Sequence, residues 1–141
     1  MVWKDKNLEQ LVQEAKKLLR TIISHDFNSE IFICSRLELE LAITNELQGK
    51  ISDKQFSQVK QSIDLIEGRY FKSTNQIWLV NDRGVSLDTI IHELLHTIQI
   101  CSPNREGIIY FITYKLTHNN AHINSFLLRD WIEIEKIMAL N

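Results

Sequence analysis

The stretch SLDTIIHELLHTIQ, residues 86–99, decides how this chain is interpreted. At 100° per residue its apolar side chains fall on one broad arc of a helix, whereas His92, Glu93 and His96 fall on the opposite arc. Ser86 suits the N-cap position, since its hydroxyl can accept a hydrogen bond from a backbone N–H in the first turn. The stretch therefore predicts an amphipathic helix with one buried side and one polar side that carries two histidines.

The polar side of this helix has the spacing of a zinc site. His92 and His96 are four residues apart, so both imidazoles project from one side of the helix and can take two corners of a tetrahedron around Zn²⁺. Glu93 would then lie beside the metal rather than bind it. Zinc lowers the pKa of bound water toward neutrality, and a nearby carboxylate can accept the proton as water attacks a carbonyl. We therefore expect Zn²⁺ as cofactor and Glu93 as general base.

A catalytic zinc site ordinarily has three protein ligands and one open position, so a third ligand is expected downstream. Glu106 is the first candidate. Pro103 ends the first helix, and a tight return would bring the start of the next predicted helix, residues 105–117, back toward the metal. The alternative is that Glu106 is an acidic residue favoured in a first helical turn by the helix dipole alone.

The HELLH segment followed by REGIIYFITY, residues 105–114, resembles the gluzincin metallopeptidases. Gluzincins are zincins whose third zinc ligand is the glutamate of an N-E-G-x-A-x-Y-like segment. The resemblance covers residues 76–114. It implies a zincin-like fold with HELLH on the central helix, zinc bound by His92, His96 and Glu106, and hydrolysis of peptide bonds.

Two further histidines offer an alternative third ligand. His118 and His122 form a second four-residue spacing. His122 with Phe126 weakly resembles the H-G-x-x-F segment of the SprT-like zinc proteases, although isoleucine replaces the glycine. The other interpretation of both histidines is that they occupy exposed positions in a loop and at a helix start.

The remaining site candidates concern the transition state and the substrate. Tyr110 and Tyr114 follow Glu106 on nearly the same side of the predicted helix, so either phenol is a candidate donor to the oxyanion, as is His118. The alternative for both tyrosines is packing in the core. A predicted strand just before the HELLH helix resembles the edge strand on which zincin substrates lie extended. Its residues are Gln76, Ile77, Trp78, Leu79 and Val80.

Hydrophobic periodicity predicts an α+β fold around this helix. In chain order it predicts a helix over 8–24, a strand over 31–34, a segment over 37–47 that is ambiguous between strand and helix, a helix over 53–66 and a last helix over 121–140. Residues 69–72 and 76–80 flank a polar turn and predict a β-hairpin. Together with the resemblance, this pattern predicts a minimal zincin-like domain of helices around a small mixed sheet.

Length and composition exclude several classes of protein. A chain of 141 residues without a flexible linker is expected to form one domain, residues 1–141. No apolar run approaches the roughly 18 residues of a membrane-spanning helix, and no signal peptide is recognisable, so we expect no membrane partner and a cytoplasmic location. The formal net charge of -2, with no basic stripe, gives no clear signal for nucleic acid. The expected partner is a peptide or protein substrate, and no pattern indicates an oligomeric state.

Three functions remain open at this point. The first is a zinc-dependent metallopeptidase with Glu93 as general base. The second is a non-catalytic zinc-binding module that regulates or assembles with another protein, and the third is an enzyme that hydrolyses a non-peptide amide at the same site. A chance occurrence of HELLH on a solvated helix face is the alternative to all three.

Overall fold

A three-stranded mixed sheet lies at the centre of the fold. The structure is a computed structural model that describes residues 2–98 together with Ile109, Ile112, Thr113, Leu116 and Thr117. Its strands are β1 (Glu30–Cys34), β2 (Gly68–Phe71) and β3 (Gln76–Val80), in the order β1-β3-β2. β3 pairs in parallel with β1 and antiparallel with β2. The parallel pairing requires a crossover, and the helices between β1 and β2 supply it.

β2 and β3 form the predicted hairpin. Phe71 pairs with Gln76 where the two strands meet the turn. Asn75 ends the turn with a φ of 53°, a left-handed conformation that asparagine adopts more readily than most residues. Its side-chain Oδ1 accepts a hydrogen bond from Ser29 Oγ at 2.6 Å, which ties the turn to the segment before β1. The hairpin prediction is therefore confirmed.

Four α-helices lie within residues 2–98. They are α1 (Lys6–Leu19), α2 (Arg36–Leu47), α3 (Asp53–Ser62) and α4 (Leu87–His96). The ambiguous segment is helical, because Ser35 accepts from the Glu38 N–H while the Glu38 carboxylate accepts from the Ser35 N–H. Such a capping box satisfies two backbone donors at a helix start.

Two predicted helices end earlier than expected. α1 stops at Leu19, because the Thr21 hydroxyl donates to the Leu18 carbonyl at 2.6 Å and the chain tightens into a turn there. α3 stops at Ser62 and a single 3₁₀ turn, Ile63–Leu65, follows it. The prediction of one continuous helix over 53–66 is therefore wrong in its last turn.

The sheet separates two clusters of buried apolar side chains. Alternate residues of a strand point to opposite faces, so Ile31, Ile33 and Ile77 face α1 and α4, while Cys34 and Val80 face α2 and the 3₁₀ turn. α4 contributes four side chains that are completely buried, namely Ile90, Ile91, Leu94 and Leu95. The predicted apolar arc of the HELLH helix is thus the side that packs into the core. Together these elements confirm an α+β fold with a small mixed sheet.

Among the residues that the structure describes, no helix combines the length and the apolar character of a membrane-spanning segment.

Ser86 caps the helix that carries HELLH. Its Oγ accepts from the Thr89 backbone N–H at 3.2 Å and lies 2.9 Å from Thr89 Oγ1. We expect Ser86→Ala to lower the free energy of unfolding by about 1 kcal/mol, because a first-turn N–H loses its acceptor. Urea denaturation of the metal-free protein measures this loss. Ser86→Asp keeps an acceptor and should recover most of it; an equal loss in both variants would contradict the capping role.

Candidate metal centre

α4 places His92 and His96 side by side. Their Nε2 atoms are 3.2 Å apart, the ring centroids are 4.9 Å apart, and the ring planes are inclined at 67°. Both side chains are half-buried. Residues four apart lie one turn above each other on one side of a helix, so this meeting of the imidazoles follows directly from their spacing.

The distance between the two imidazoles fits a shared metal ion. Zinc–nitrogen bonds of about 2.0–2.1 Å at a tetrahedral angle place the two nitrogens about 3.3 Å apart. The observed 3.2 Å between His92 Nε2 and His96 Nε2 agrees with that value. The same distance suits an N–H···N hydrogen bond between two neutral rings, so the pair can hold its arrangement before metal binds. The two side chains therefore fit two ligands of one tetrahedral ion.

Glu93 is buried on the side of α4 that faces the sheet. Only 7% of its surface is exposed. A Cβ placed on Gly68 of β2 would lie 3.3 Å from Glu93 Cγ, so the aliphatic part of the glutamate packs directly against the β2 backbone. Burying a carboxylate is costly unless charged or hydrogen-bonding groups compensate it. This burial argues against the alternative that HELLH is an ordinary solvated helix face.

A hydrogen bond joins α4 to the start of β2 one turn before Glu93. Thr89 Oγ1 donates to Glu67 Oε2 at 2.7 Å, and the Glu67 carbonyl accepts from the Val80 N–H at 2.9 Å. Sequence reasoning missed Glu67 and Gly68 as neighbours of the site. No local pattern signals a contact between residues 22 positions apart, and Gly68 lies just before the predicted strand over 69–72, where the sequence does not mark a close approach.

No family model, curated protein or solved structure matches this chain. The zincin-like character expected from HELLH therefore stays a proposal, which rests on the resemblance and on the geometry of α4.

The other predicted ligands and donors fall on residues that the structure leaves out. Glu106, Tyr110, Tyr114, His118 and His122 all lie outside the described residues, so their roles stay predictions. Within residues 2–98 and the five positions described beyond them, no group of three His, Cys, Asp or Glu side chains is arranged to hold a metal ion.

The predicted substrate strand is not an edge strand. Gln76–Val80 is β3, the central strand, and its backbone pairs with β1 on one side and β2 on the other. The edge-strand prediction is therefore wrong. The physical reason is the crossover through α2 and α3, which brings β1 onto the side of β3 that the hairpin leaves open.

β2 is the strand that lies beside Glu93, and among the described residues its only strand partner is β3. The hydrogen bond from the Val80 N–H to the Glu67 carbonyl fixes which backbone groups point toward β3. Because this direction alternates along an antiparallel strand, the backbone N–H and C=O of Gly68 and Tyr70 point away from β3.

Proposed function

We propose that this protein is a zinc-dependent metallopeptidase in which Glu93 is the general base. The observation that carries the proposal is the meeting of His92 and His96 with 3.2 Å between their Nε2 atoms, on a helix turn that also buries Glu93 against the sheet. The resemblance of HELLH and the downstream REGIIYFITY to gluzincins supports the same assignment.

The side chains of α4 divide the work between binding and proton transfer. His92 and His96 would hold Zn²⁺ through Nε2, with Glu106 as the proposed third ligand. Zinc, when bound, supplies a Lewis acid that acidifies water and polarises the scissile carbonyl. Glu93 takes the proton from the attacking water on a carboxylate oxygen and delivers it to the nitrogen of the leaving amine. Burial beside β2 limits the rotamers of Glu93 and keeps bulk water from competing for its carboxylate.

The edge of β2 is the proposed place for the substrate backbone, in place of β3. An extended peptide that adds to a sheet edge gains main-chain hydrogen bonds without demanding a particular sequence. Tyr70 offers its N–H and C=O on that edge, and Gly68, which is buried two residues before it, contacts Glu93. A peptide bound there would lie close to the general base.

The direct test is metal-dependent cleavage. The purified full-length chain, loaded with one equivalent of zinc, is incubated with an unfolded protein and with a peptide mixture, and the products are identified by mass spectrometry before and after chelation. We expect cleavage that a chelator abolishes and that added zinc restores. Tight zinc binding without any cleavage would favour the non-catalytic module, whereas turnover of small amides alone would favour the non-peptide amidase.

We expect Glu106→Ala to weaken zinc affinity by at least about tenfold, because a three-ligand site would lose one protein ligand. Competition against a chromophoric chelator measures this change. Glu14→Ala, on the exposed side of α1, is the matched control and should leave affinity unchanged. If Glu106→Ala has no effect either, the third ligand moves to His118 or His122, which the same substitution then tests.

A further inference from the structure

Gly68 occupies a position where its own backbone conformation does not require a glycine. Among the described residues, φ is positive at Gly49, Gly84 and Asn75, and Gly68 is not one of them. It lies at the start of β2, paired with Leu79 of β3, and it is buried. Glycine weakens a strand, because it adds no packing, and it is found there mainly where another group approaches closely. The group that approaches Gly68 should therefore explain the glycine.

Three atoms lie nearest to the place where a Cβ of residue 68 would stand. They are Leu79 Cδ2 at 2.9 Å, the Trp78 carbonyl oxygen at 3.1 Å and Glu93 Cγ at 3.3 Å. The Trp78 oxygen belongs to the central strand and is held in place by the sheet. Leu79 is 1% exposed and packs within the core. An added methyl group would therefore have to displace the Leu79 methyl group, and it would also press on Glu93 Cγ at 3.3 Å.

We propose that Gly68 is a positioning residue for Glu93, and that its missing side chain lets the glutamate lie against β2 in the place where it serves the metal centre. The contact itself is independent of any activity; its catalytic consequence rests on the proposed metallopeptidase function. An alanine at this position pushes Glu93 Cγ away by a few tenths of an ångström. Catalytic groups act within tolerances of roughly 0.5 Å, so such a shift reaches the rate.

The contact is tested in the metal-free protein by a double-mutant cycle. The thermal midpoint is measured for the parent chain, Gly68→Ala, Glu93→Ala and the double variant. Gly68→Ala should lower the midpoint, and the loss should be smaller by about 2 °C or more when residue 93 is alanine, since alanine has no Cγ to be displaced. Equal losses in the two backgrounds would overturn the proposal.

The catalytic consequence is tested on the zinc-loaded chain. Gly68→Ala should lower kcat about tenfold while KM and zinc affinity stay unchanged. The control is Gly68→Ala combined with Leu79→Val, which removes the 2.9 Å methyl contact. The thermal midpoint of this double variant should be higher than that of Leu79→Val alone. Its kcat should stay as low as that of Gly68→Ala. Recovery of kcat together with stability would show that the effect passes through Leu79 and would refute the positioning role.

The two arms separate this proposal from the metallopeptidase assignment. If the zinc-loaded parent chain cleaves nothing, the proposed function fails, yet the cycle in the metal-free protein still decides whether Gly68 and Glu93 are coupled. If the parent chain is active and the cycle is additive, the positioning role of Gly68 fails while the proposed function stands.

Discussion

Glu93→Gln is expected to reduce hydrolysis by about 10³-fold while zinc stays bound. The amide has nearly the shape of the carboxylate, so the packing against Gly68 is preserved while the negative charge and the ability to accept a proton are lost. A neutral amide is also easier to bury than a carboxylate at a position that is 7% exposed, so the folded state should not be destabilised. Steady-state kinetics and metal content per chain, measured on the same sample, check both parts.

The control for this substitution is Glu14→Gln on α1. Glu14 is exposed, and the change removes the same charge away from α4. It should leave kcat and zinc content at the level of the parent chain. Hydrolysis retained in Glu93→Gln would contradict the general-base assignment, and loss of zinc from that variant would show that Glu93 binds the metal instead.

His92→Ala is expected to remove zinc, with affinity falling at least about 100-fold and hydrolysis lost with it. The remaining imidazole cannot chelate, because the arrangement depends on two Nε2 atoms 3.2 Å apart. His96→Ala should have the same effect for the same reason. Metal analysis after dialysis against a weak chelator measures the loss, and far-ultraviolet circular dichroism shows whether the helices persist.

His25→Ala serves as the control for both histidine variants. His25 is exposed and stacks edge-on against Phe27, with 4.8 Å between the ring centroids, in the segment between α1 and β1. Its removal should leave zinc content unchanged. If His92→Ala and His25→Ala retain equal zinc, the pair on α4 is not the metal site and the proposed function falls with it.

Local sequence rules were sufficient for the helix that carries the site. The N-cap of Ser86, the apolar arc from Ile90 to Leu95 and the meeting of His92 with His96 all follow from positions three or four residues apart. Helix geometry fixes such neighbours whatever the rest of the chain does. The hairpin of β2 and β3 was predictable for the same reason, since its strands are joined by a short polar turn.

The helical state of residues 37–47 was ambiguous because apolar residues lie on several sides of α2. Leu39 and Ile43 are buried, yet Leu37 and Leu41 are 64% and 56% exposed, so the pattern has no clear helical period. The capping box of Ser35 and Glu38 decides this segment, and its spacing was present in the sequence as a signal that periodicity alone overlooked.

The sequence by itself determined a capped amphipathic helix with two imidazoles on one side, because those relations span a single turn. Tertiary structure alone decided that β3 is central, and that Glu93 is covered by β2 although the helical wheel places it on the polar side. Both depend on how strands distant in sequence pair and on where the sheet meets α4. Such contacts follow from the packing of the whole core, which no local spacing encodes.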